Sequence, residues 1–137
     1  MRIFNTYGPN MDIDDGRVIS NFIVQALKGK DITIYGDGSQ TRSFCYVDDL
    51  IDGMLRFMDT DKSFIGPLNI GADREVPISF IASKIIELTD SKSSIINLDS
   101  LEDDPKRRRP DLSLAKEKIK WNPQVSLEDG LVKTIKF

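Results

Sequence analysis

The sequence has 137 residues and a mass of 15.5 kDa, a size that suits one domain, with 39% hydrophobic and 30% charged residues and no apolar run long enough to span a bilayer. Absence of histidine excludes Ser/His/Asp and Cys/His catalysis within this chain, and the single Cys45 excludes an internal disulfide or a cysteine-rich zinc site. Nineteen basic against 22 acidic residues argue against a nucleic-acid partner. We therefore expect a soluble cytoplasmic protein with no metal and no membrane or nucleic-acid partner.

Hydrophobic periodicity divides the chain into alternating strands and helices. Apolar residues at three- and four-residue spacing predict helices, and short β-prone runs bounded by glycine or proline predict strands. The predicted elements, in chain order, are strand 2–9, helix 17–27, strands 32–35 and 43–47, helix 48–58, strand 67–70, helix 78–88, strand 95–98, helix 113–121 and helix 126–135. This order predicts an α/β or α+β construction without an internal repeat.

Turn and capping residues predict how these elements end. Asp37–Gly38 predicts a hairpin or meander between the two strands that flank it. Ser113 and Ser126 are expected to cap the last two helices, and Ser126 with Asp129 resembles a capping box. The charge-rich residues 99–111 are expected to form a loop. Because a domain seldom opens in the middle of a strand, we also expect the sequence to begin inside a larger fold.

Generic nucleotide-binding and acid–base motifs are missing from the sequence. Residues 36–41 begin like GxGxxG, but Thr41 holds the third glycine position and the segment lies at a turn. No GxxxxGK[ST] sequence occurs, which excludes a P-loop. Adjacent carboxylates point to different faces, so we interpret three pairs as helix caps or solvated turns. These pairs are Asp14/Asp15, Asp48/Asp49 and Asp103/Asp104.

Two arginines stand where the backbone is expected to be fixed. Arg42 follows a tight turn and enters a strand, and Arg108 lies in a proline-flanked segment near Asp111. A guanidinium group can donate two parallel charge-assisted hydrogen bonds, which makes it the preferred partner of a diphosphate. The alternative interpretation is a pair of surface arginines or ion pairs.

Seven short segments occur in an order typical of a known family: RIFNTYGP (2–9), DGRV (15–18), QAL (25–27), IYGDGSQTRSF (34–44), YVDDL (46–50), NIG (69–71) and RRPD (108–111). Together they closely resemble the C-terminal half of UDP-glucuronate decarboxylases, which belong to the NAD-dependent epimerase/dehydratase group of extended short-chain dehydrogenases/reductases. The resemblance implies an α/β fold comprising the last strands of an extended Rossmann-type sheet and a small substrate-binding α/β subdomain. It further implies that residues 1–137 are the C-terminal substrate-binding portion, with the N-terminal NAD-binding half absent.

The resemblance also implies a reaction for the parent enzyme. In this family NAD⁺ oxidises C4 of UDP-glucuronate, the keto acid loses carbon dioxide, and the retained NADH reduces the product to UDP-xylose. A YxxxK pair and a glycine-rich turn serve this chemistry, and this chain has neither. We therefore expect no catalytic residue, no NAD bound by this chain alone, and no activity of the isolated chain. The three tyrosines and the residues four places later are Tyr7/Met11, Tyr35/Ser39 and Tyr46/Leu50.

By position in the family motifs, the resemblance implies a set of binding residues for a UDP-sugar, UDP-glucuronate or UDP-xylose. The implied contacts are Val18 near the uracil, Thr33, Ile34 and Tyr35 along the base, Arg42 and Arg108 on the diphosphate, Asp111 near the ribose, and Thr6 and Arg17 towards the cofactor. Relatives usually carry arginine and often histidine where this chain has Asn10 and Asp12, which puts the cofactor contacts of that loop in question.

Two alternatives remain open at this point. The first is half of a nucleotide-sugar 4,6-dehydratase or 4-epimerase, which the residues around the catalytic tyrosine upstream would distinguish. The second is a non-enzymatic remnant that associates with a partner chain through the apolar surface left by the missing N-terminal half. Sedimentation would distinguish this second alternative.

Overall fold

The computed structural model describes residues 1–100 and 107–137, and in these ranges strands and helices alternate as the α/β prediction requires. The helices are α1 (Val18–Leu27), α2 (Val47–Met58), α3 (Ile78–Thr89), α4 (Ser113–Ile119) and α5 (Leu127–Lys136). The strands are β1 (Arg2–Ile3), β2 (Thr6–Tyr7), β3 (Ile32–Tyr35), β4 (Thr41–Ser43), β5 (Cys45–Tyr46), β6 (Asn69–Ile70), β7 (Glu75–Pro77), β8 (Ile95–Leu98) and β9 (Arg107–Arg108). None of the helices described has the length and apolar character needed to cross a membrane.

The described strands form four small sheets, and most of their pairings are parallel. β1 pairs with β6, β2 with β5, and β3 with β8, each in parallel. β4 is the central strand of the remaining sheet, antiparallel to β7 and parallel to β9. Each parallel pair joins strands that are far apart in sequence and separated by helices, as parallel pairing requires. The predicted first strand is therefore divided between β1 and β2, which have different partners.

The expected hairpin at Asp37–Gly38 is wrong, although the turn itself forms. Oδ1 of Asp37 accepts hydrogen bonds from the N–H (2.9 Å) and hydroxyl (2.6 Å) of Ser39, and Gly38 has a φ of 76°. The turn is bonded to the start of α3, since the N–H of Ser79 donates to the C=O of Gly38 (3.1 Å). The chain thus leaves β3 for a different sheet, and β3 pairs with β8 instead of with β4.

The expected loop over residues 99–111 contains a strand. Arg107–Arg108 pairs in parallel with Thr41–Arg42 at the edge of the three-stranded sheet. Charge runs favour a loop on average, but an edge strand accommodates charged side chains because one of its sides stays in water. The Asp103/Asp104 pair lies outside the described residues.

Two hydrophobic cores fill the space between the sheets and the helices. The first core packs α1, α3 and α5 against β2, β3 and β5, and its buried residues are Tyr7, Ile19, Phe22, Ile23, Ala26, Ile32, Ile34, Tyr46, Val76, Ile78, Ile81, Ala82, Ile85 and Leu131. The second core packs α2 and α4 around β5 and β6, and its buried residues are Cys45, Leu50, Leu68, Ile70, Leu112, Ala115, Ile119 and Trp121. Burial of these side chains supplies the main driving force for the fold.

The carboxylates at the start of α2 have different environments. Asp48 is exposed in the first turn, as a solvated helix start would be. Asp49 is only 6% exposed, and its two carboxylate oxygens accept hydrogen bonds from the N–H groups of Gln124 (3.0 Å) and Val125 (2.9 Å). The interpretation of Asp49 as a cap or a solvated turn is therefore wrong, because this carboxylate anchors a segment near the C-terminus.

The two predicted serine caps have different outcomes. Ser126 is confirmed as the N-cap of α5, since its hydroxyl accepts a hydrogen bond from the N–H of Asp129 (3.1 Å). Ser113 is instead the first residue of α4 and makes no cap. Oδ1 of Asp111 accepts hydrogen bonds from the N–H (2.9 Å) and the hydroxyl (2.7 Å) of Ser113.

Candidate functional site

A cleft of about 260 Å³ opens between the start of α1, the strands β3 and β4, and the start of α3. Five of the residues predicted to bind substrate lie in its wall, namely Val18, Thr33, Ile34, Tyr35 and Arg42. The structure thus brings together residues from α1, β3 and β4 that are separated in the sequence. The other lining residues are Gly16, Asn21, Phe22, Gln40 and Ile78.

One wall of the cleft is the open edge of β3. The N–H of Ile32 donates to the C=O of Ser94 (2.8 Å), and the N–H of Gly36 donates to the C=O of Leu98 (2.9 Å), so even-numbered residues face β8. Thr33 and Tyr35 direct their backbone groups to the opposite side, because these groups alternate along a strand. That side carries no other strand among the described residues.

Two glutamines bond to this open edge, one at each end. Oε1 of Gln25, on α1, accepts a hydrogen bond from the N–H of Thr33 (3.3 Å), and its Nε2 donates to Oγ1 of the same threonine (3.0 Å). Nε2 of Gln40 donates to the C=O of Tyr35 (2.7 Å). The C=O of Thr33 and the N–H of Tyr35 lie between these two bonds. The edge therefore presents one acceptor followed by one donor.

The two predicted diphosphate-binding arginines occupy adjacent strands. Arg42 on β4 and Arg108 on β9 are register partners, and register partners project to the same face of a sheet. Arg42 is only 8% exposed, and its Nη1 donates to the C=O of Thr41 (2.7 Å), whereas Arg108 is exposed. The sheet thus brings the two arginines to one face, next to the cleft that Arg42 lines.

The residues predicted to reach the cofactor lie outside the cleft lining. Thr6, on β2, donates its hydroxyl hydrogen to the C=O of Phe4 (2.9 Å). Nε of Arg17 forms an ion pair with Oδ2 of Asp15 (3.1 Å), in the loop before α1.

Asp111 lies beside a second cleft, of about 340 Å³, which Asp73, Arg109 and Lys116 also line. Hydrogen bonds from the hydroxyl and then the N–H of Ser113 hold the pKa of Asp111 below its usual value, with Arg109 and Lys116 adding to the effect. The carboxylate is therefore charged at neutral pH and bonded to the start of α4. The structure does not place it in the lining of the first cleft.

Sequence reasoning missed half of the cleft lining, although some signals were available. Gly16 and Gln40 lie inside the segments that carry the family resemblance. The helical spacing of α1 is a second signal, because it places three residues on the same face as Val18. These are Asn21 and Phe22, which line the cleft, and Gln25, which bonds to Thr33.

The most perturbed titratable groups lie in the cores and not in the cleft lining. Burial, followed by the nearby Asp49, raises the pKa of the Cys45 thiol to about 12. Burial also raises the pKa of the Tyr7 hydroxyl, which donates to the C=O of Leu127 (3.1 Å). Among the residues described here, no three histidine, cysteine, aspartate or glutamate side chains are grouped so as to hold a metal ion. The acceptor and donor on the open edge of β3, with Arg42 nearby, can pair with a planar polar group that carries an anion.

Sequence comparison finds a family model and relatives named as UDP-glucuronic acid decarboxylases. The model of the NAD dependent epimerase/dehydratase family matches residues 1–71. UDP-glucuronic acid decarboxylase 5 of Arabidopsis thaliana is 49% identical over 130 residues, which are 95% of this chain and 38% of that protein. UDP-glucuronic acid decarboxylase 1 of Danio rerio is 49% identical over 136 residues, which are 99% of this chain and 32% of that protein. The chain thus spans about a third of the length of these relatives.

Solved structures share the fold at lower sequence identity. UDP-glucose 4-epimerase of Thermotoga maritima, solved with UDP-glucose, has a TM-score of 0.92 and 31% identity, and the match covers 98% of this chain and 43% of that one. UDP-glucuronic acid 4-epimerase of Bacillus cereus, solved with UDP-glucuronic acid and NAD, has a TM-score of 0.90 and 35% identity with the same coverage. These neighbours are Rossmann-type proteins, in agreement with the expected fold. The chain belongs to the NAD-dependent epimerase/dehydratase family.

Proposed function

We propose that this chain is the C-terminal, substrate-binding portion of a UDP-glucuronate decarboxylase and that its own activity is to bind a UDP-sugar, UDP-glucuronate or UDP-xylose. The observation that carries the proposal is the cleft in which the open edge of β3 stands next to Arg42. The chain is 49% identical to a decarboxylase and 35% identical to a 4-epimerase of known structure. This difference supports a decarboxylase as the parent enzyme, in preference to a 4-epimerase or a 4,6-dehydratase.

The nucleobase is proposed to lie against the open edge of β3. A uracil ring carries an N3–H donor next to a C4 carbonyl acceptor, so the C=O of Thr33 can accept from N3–H while the N–H of Tyr35 donates to O4. Val18 and Phe22 offer apolar contact to the ring from α1. This pairing uses backbone atoms, which hold their positions better than side chains.

The diphosphate is proposed to bind Arg42 and Arg108, which are register partners on one face of the sheet. Planar guanidinium groups donate parallel hydrogen bonds to phosphate oxygens, and their charge offsets that of the diphosphate. Asp111 is proposed to contact the ribose. Because the ribose lies between the uracil and the diphosphate, this contact requires a ribose hydroxyl to turn towards the neighbouring cleft that Asp111 lines.

We further propose that this chain does not bind a dinucleotide by itself. The Thr6 hydroxyl is bonded to the C=O of Phe4, Arg17 is paired with Asp15, and the sequence has no YxxxK pair or glycine-rich turn. We therefore propose that oxidation, decarboxylation and reduction with NAD belong to a longer protein, and that the isolated chain is inactive. Release of carbon dioxide by the 137-residue chain from UDP-glucuronate and NAD⁺ would contradict this part of the proposal.

Titration of the chain with UDP and with uridine tests the proposed site. Arg42→Ala and Arg108→Ala are expected to weaken UDP binding about tenfold or more each, since charge-assisted hydrogen bonds are lost. Uridine has no diphosphate, so its binding is expected to stay unchanged. Arg2→Ala, on β1, is the matched control because Arg2 is exposed in another sheet. Equal UDP affinity of wild type and both variants would overturn the assignment of the arginines.

A second candidate function is an interaction module, and α2 is the feature that favours it. Ile51, Leu55 and Met58 follow one another at helical spacing and are 48%, 58% and 76% exposed. Such an apolar stripe favours association with a partner chain. Sedimentation of the chain at increasing concentration is expected to show self-association that Leu55→Lys abolishes. A monomer at every concentration would contradict this candidate.

A further inference from the structure

We propose that Gln25 and Gln40 are positioning residues that determine which atoms of β3 a nucleobase can reach. The inference rests on the proposed UDP site and adds to it a device that fixes the register of the base along the strand. Neither glutamine needs to touch the reacting part of a substrate for this role.

The backbone groups along the open edge of β3 alternate between donors and acceptors. From Thr33 to Tyr35 this edge presents an N–H, a C=O, a second N–H and a second C=O. Gln25 accepts from the first of these groups (3.3 Å), and Gln40 donates to the last (2.7 Å). The two central groups, one acceptor and one donor, are the pair assigned above to the uracil.

The amide of Gln25 is held in one orientation by a second contact. Its Nε2 donates to Oγ1 of Thr33 (3.0 Å), so Oε1 is the atom that faces the N–H of Thr33. Gln25 is half-buried on α1, and the first core holds α1 beside β3 through Phe22 and Ile34. Helix packing therefore keeps this glutamine on the strand.

The glutamines restrict the base because they occupy the groups on both sides of the central pair. A base displaced towards Thr33 N–H would have to displace Gln25, and one displaced towards Tyr35 C=O would have to displace Gln40. Loss of Gln25 would add a donor to the edge, and loss of Gln40 would add an acceptor. Each loss allows the base to bind in a different second register. A ligand that can pair with the added donor or the added acceptor detects that register.

Two nucleotide probes separate this role from a general effect on stability. N3-methyl-UDP lacks the donor needed by the C=O of Thr33, but its carbonyl groups can still accept from an additional N–H. CDP carries an amino group that can donate to an additional C=O. The measured quantities are the dissociation constants of N3-methyl-UDP and of CDP, each divided by that of UDP. A loss of folded protein lowers all apparent affinities together and leaves both ratios unchanged.

The experiment titrates the ¹⁵N-labelled 137-residue chain with UDP, N3-methyl-UDP and CDP. In Gln25→Met, we expect the N3-methyl-UDP ratio to fall at least fivefold, and the Thr33 amide signal to respond to ligand. In Gln40→Met, the CDP ratio is expected to fall by a similar factor. Gln25→Glu keeps an acceptor for Thr33 N–H and is expected to retain the wild-type ratio. Gln124→Met, outside the cleft, is the matched control.

The outcomes distinguish this inference from the function on which it rests. If the wild-type chain does not bind UDP, the proposed function fails and the role of the glutamines fails with it. If UDP binds and both ratios stay unchanged in Gln25→Met and Gln40→Met, the positioning role is overturned while the UDP site stands. If either ratio falls as expected and Gln124→Met has no effect, the positioning role is supported.

Discussion

The two cores of this molecule differ in how their helices meet the surface. In the first core, α1 and α3 bury their apolar faces, and the cleft opens where α1 meets β3. In the second core, α2 buries Leu50 and Gly53 on one side but presents Leu55 and Met58 to solvent on another. The first side of the molecule carries the cleft proposed to bind a nucleotide, and the second carries an exposed apolar stripe.

This difference shows how a single short helix can serve two surfaces. The buried side of α2 is fixed by polar bonds as well as packing, since Nε1 of Trp121 donates to the C=O of Asp49 (3.0 Å) and the Asp49 carboxylate binds two further N–H groups. The stripe on the outer side has no part in that network. Substitutions on the two sides of α2 should therefore have separable effects on stability and on association.

The largest expected effect comes from the centre of the second core. Trp121→Ala should lower the free energy of unfolding by about 3–5 kcal/mol, because Trp121 is 1% exposed and packs against Gly53. Leu55→Ala, on the outer stripe, should change it by less than about 0.5 kcal/mol. Urea denaturation measures both. A comparable cost for Leu55→Ala would mean that the stripe is covered in solution.

A smaller effect is expected when the buried carboxylate of α2 is neutralised. Asp49→Asn should cost about 2–3 kcal/mol, because the amide can accept from only one of the N–H groups of Gln124 and Val125 and leaves the other unsatisfied. The adjacent and exposed Asp48→Asn is the matched control, expected within about 0.5 kcal/mol of wild type. Similar costs for the two variants would contradict the anchoring role of Asp49.

The second core should also make the protein sensitive to high pH. The pKa of Cys45 is raised by burial from 9.0 to about 12, so between these values the unfolded chain loses a proton that the folded chain keeps. Stability from this group is complete below pH 9 and should fall by about 1.4 kcal/mol per pH unit as the pH rises towards 12. Denaturation from pH 8 to 10.5 should show a shallower decline in Cys45→Ala. An identical slope in the variant would refute this assignment.

The smallest effects are expected at the N-terminal ends of α4 and α5, which belong to different cores. Ser126→Ala should destabilise the protein by about 1 kcal/mol, because its hydroxyl caps α5. Ser113→Ala should cost less, since the N–H of Ser113 keeps its bond to Asp111 when the hydroxyl is removed. Thermal denaturation of both variants measures the difference, and the reverse order would show that the bond from the Ser113 hydroxyl to Asp111 stabilises the protein more than the Ser126 cap does.

Local signals in the sequence predict the helices better than the sheets. The periodic apolar residues of α1, α2, α3 and α5 predict these helices because the face that packs is encoded within each segment. Strand partners are not encoded locally. The turn at Asp37–Gly38 predicts that β3 pairs with the next strand, whereas its partner is β8. β7, only three residues long and ending at Pro77, and β9, with its arginines, carry too little apolar pattern to be predicted.

Some residues of the candidate site could also be predicted from the sequence, whereas their contacts could not. The family resemblance pointed to Val18, Thr33 and Arg42, which line one cleft. The contacts of Gln25 with Thr33 depend on how α1 packs beside β3, and no motif spacing reports that packing. Asp49 is a comparable case, because its partners Gln124 and Val125 lie near the other end of the chain.

The position of β9 has a consequence for how the protein acquires its binding surface during synthesis. Arg42 is made in the first third of the chain, but the strand that brings Arg108 beside it is made in the last quarter. A nascent chain that ends before β9 can form β3, α1 and α3, yet it lacks one of the two guanidinium groups. Under the proposed function, recognition of a diphosphate would therefore begin late in translation, after α1 and α3 have emerged.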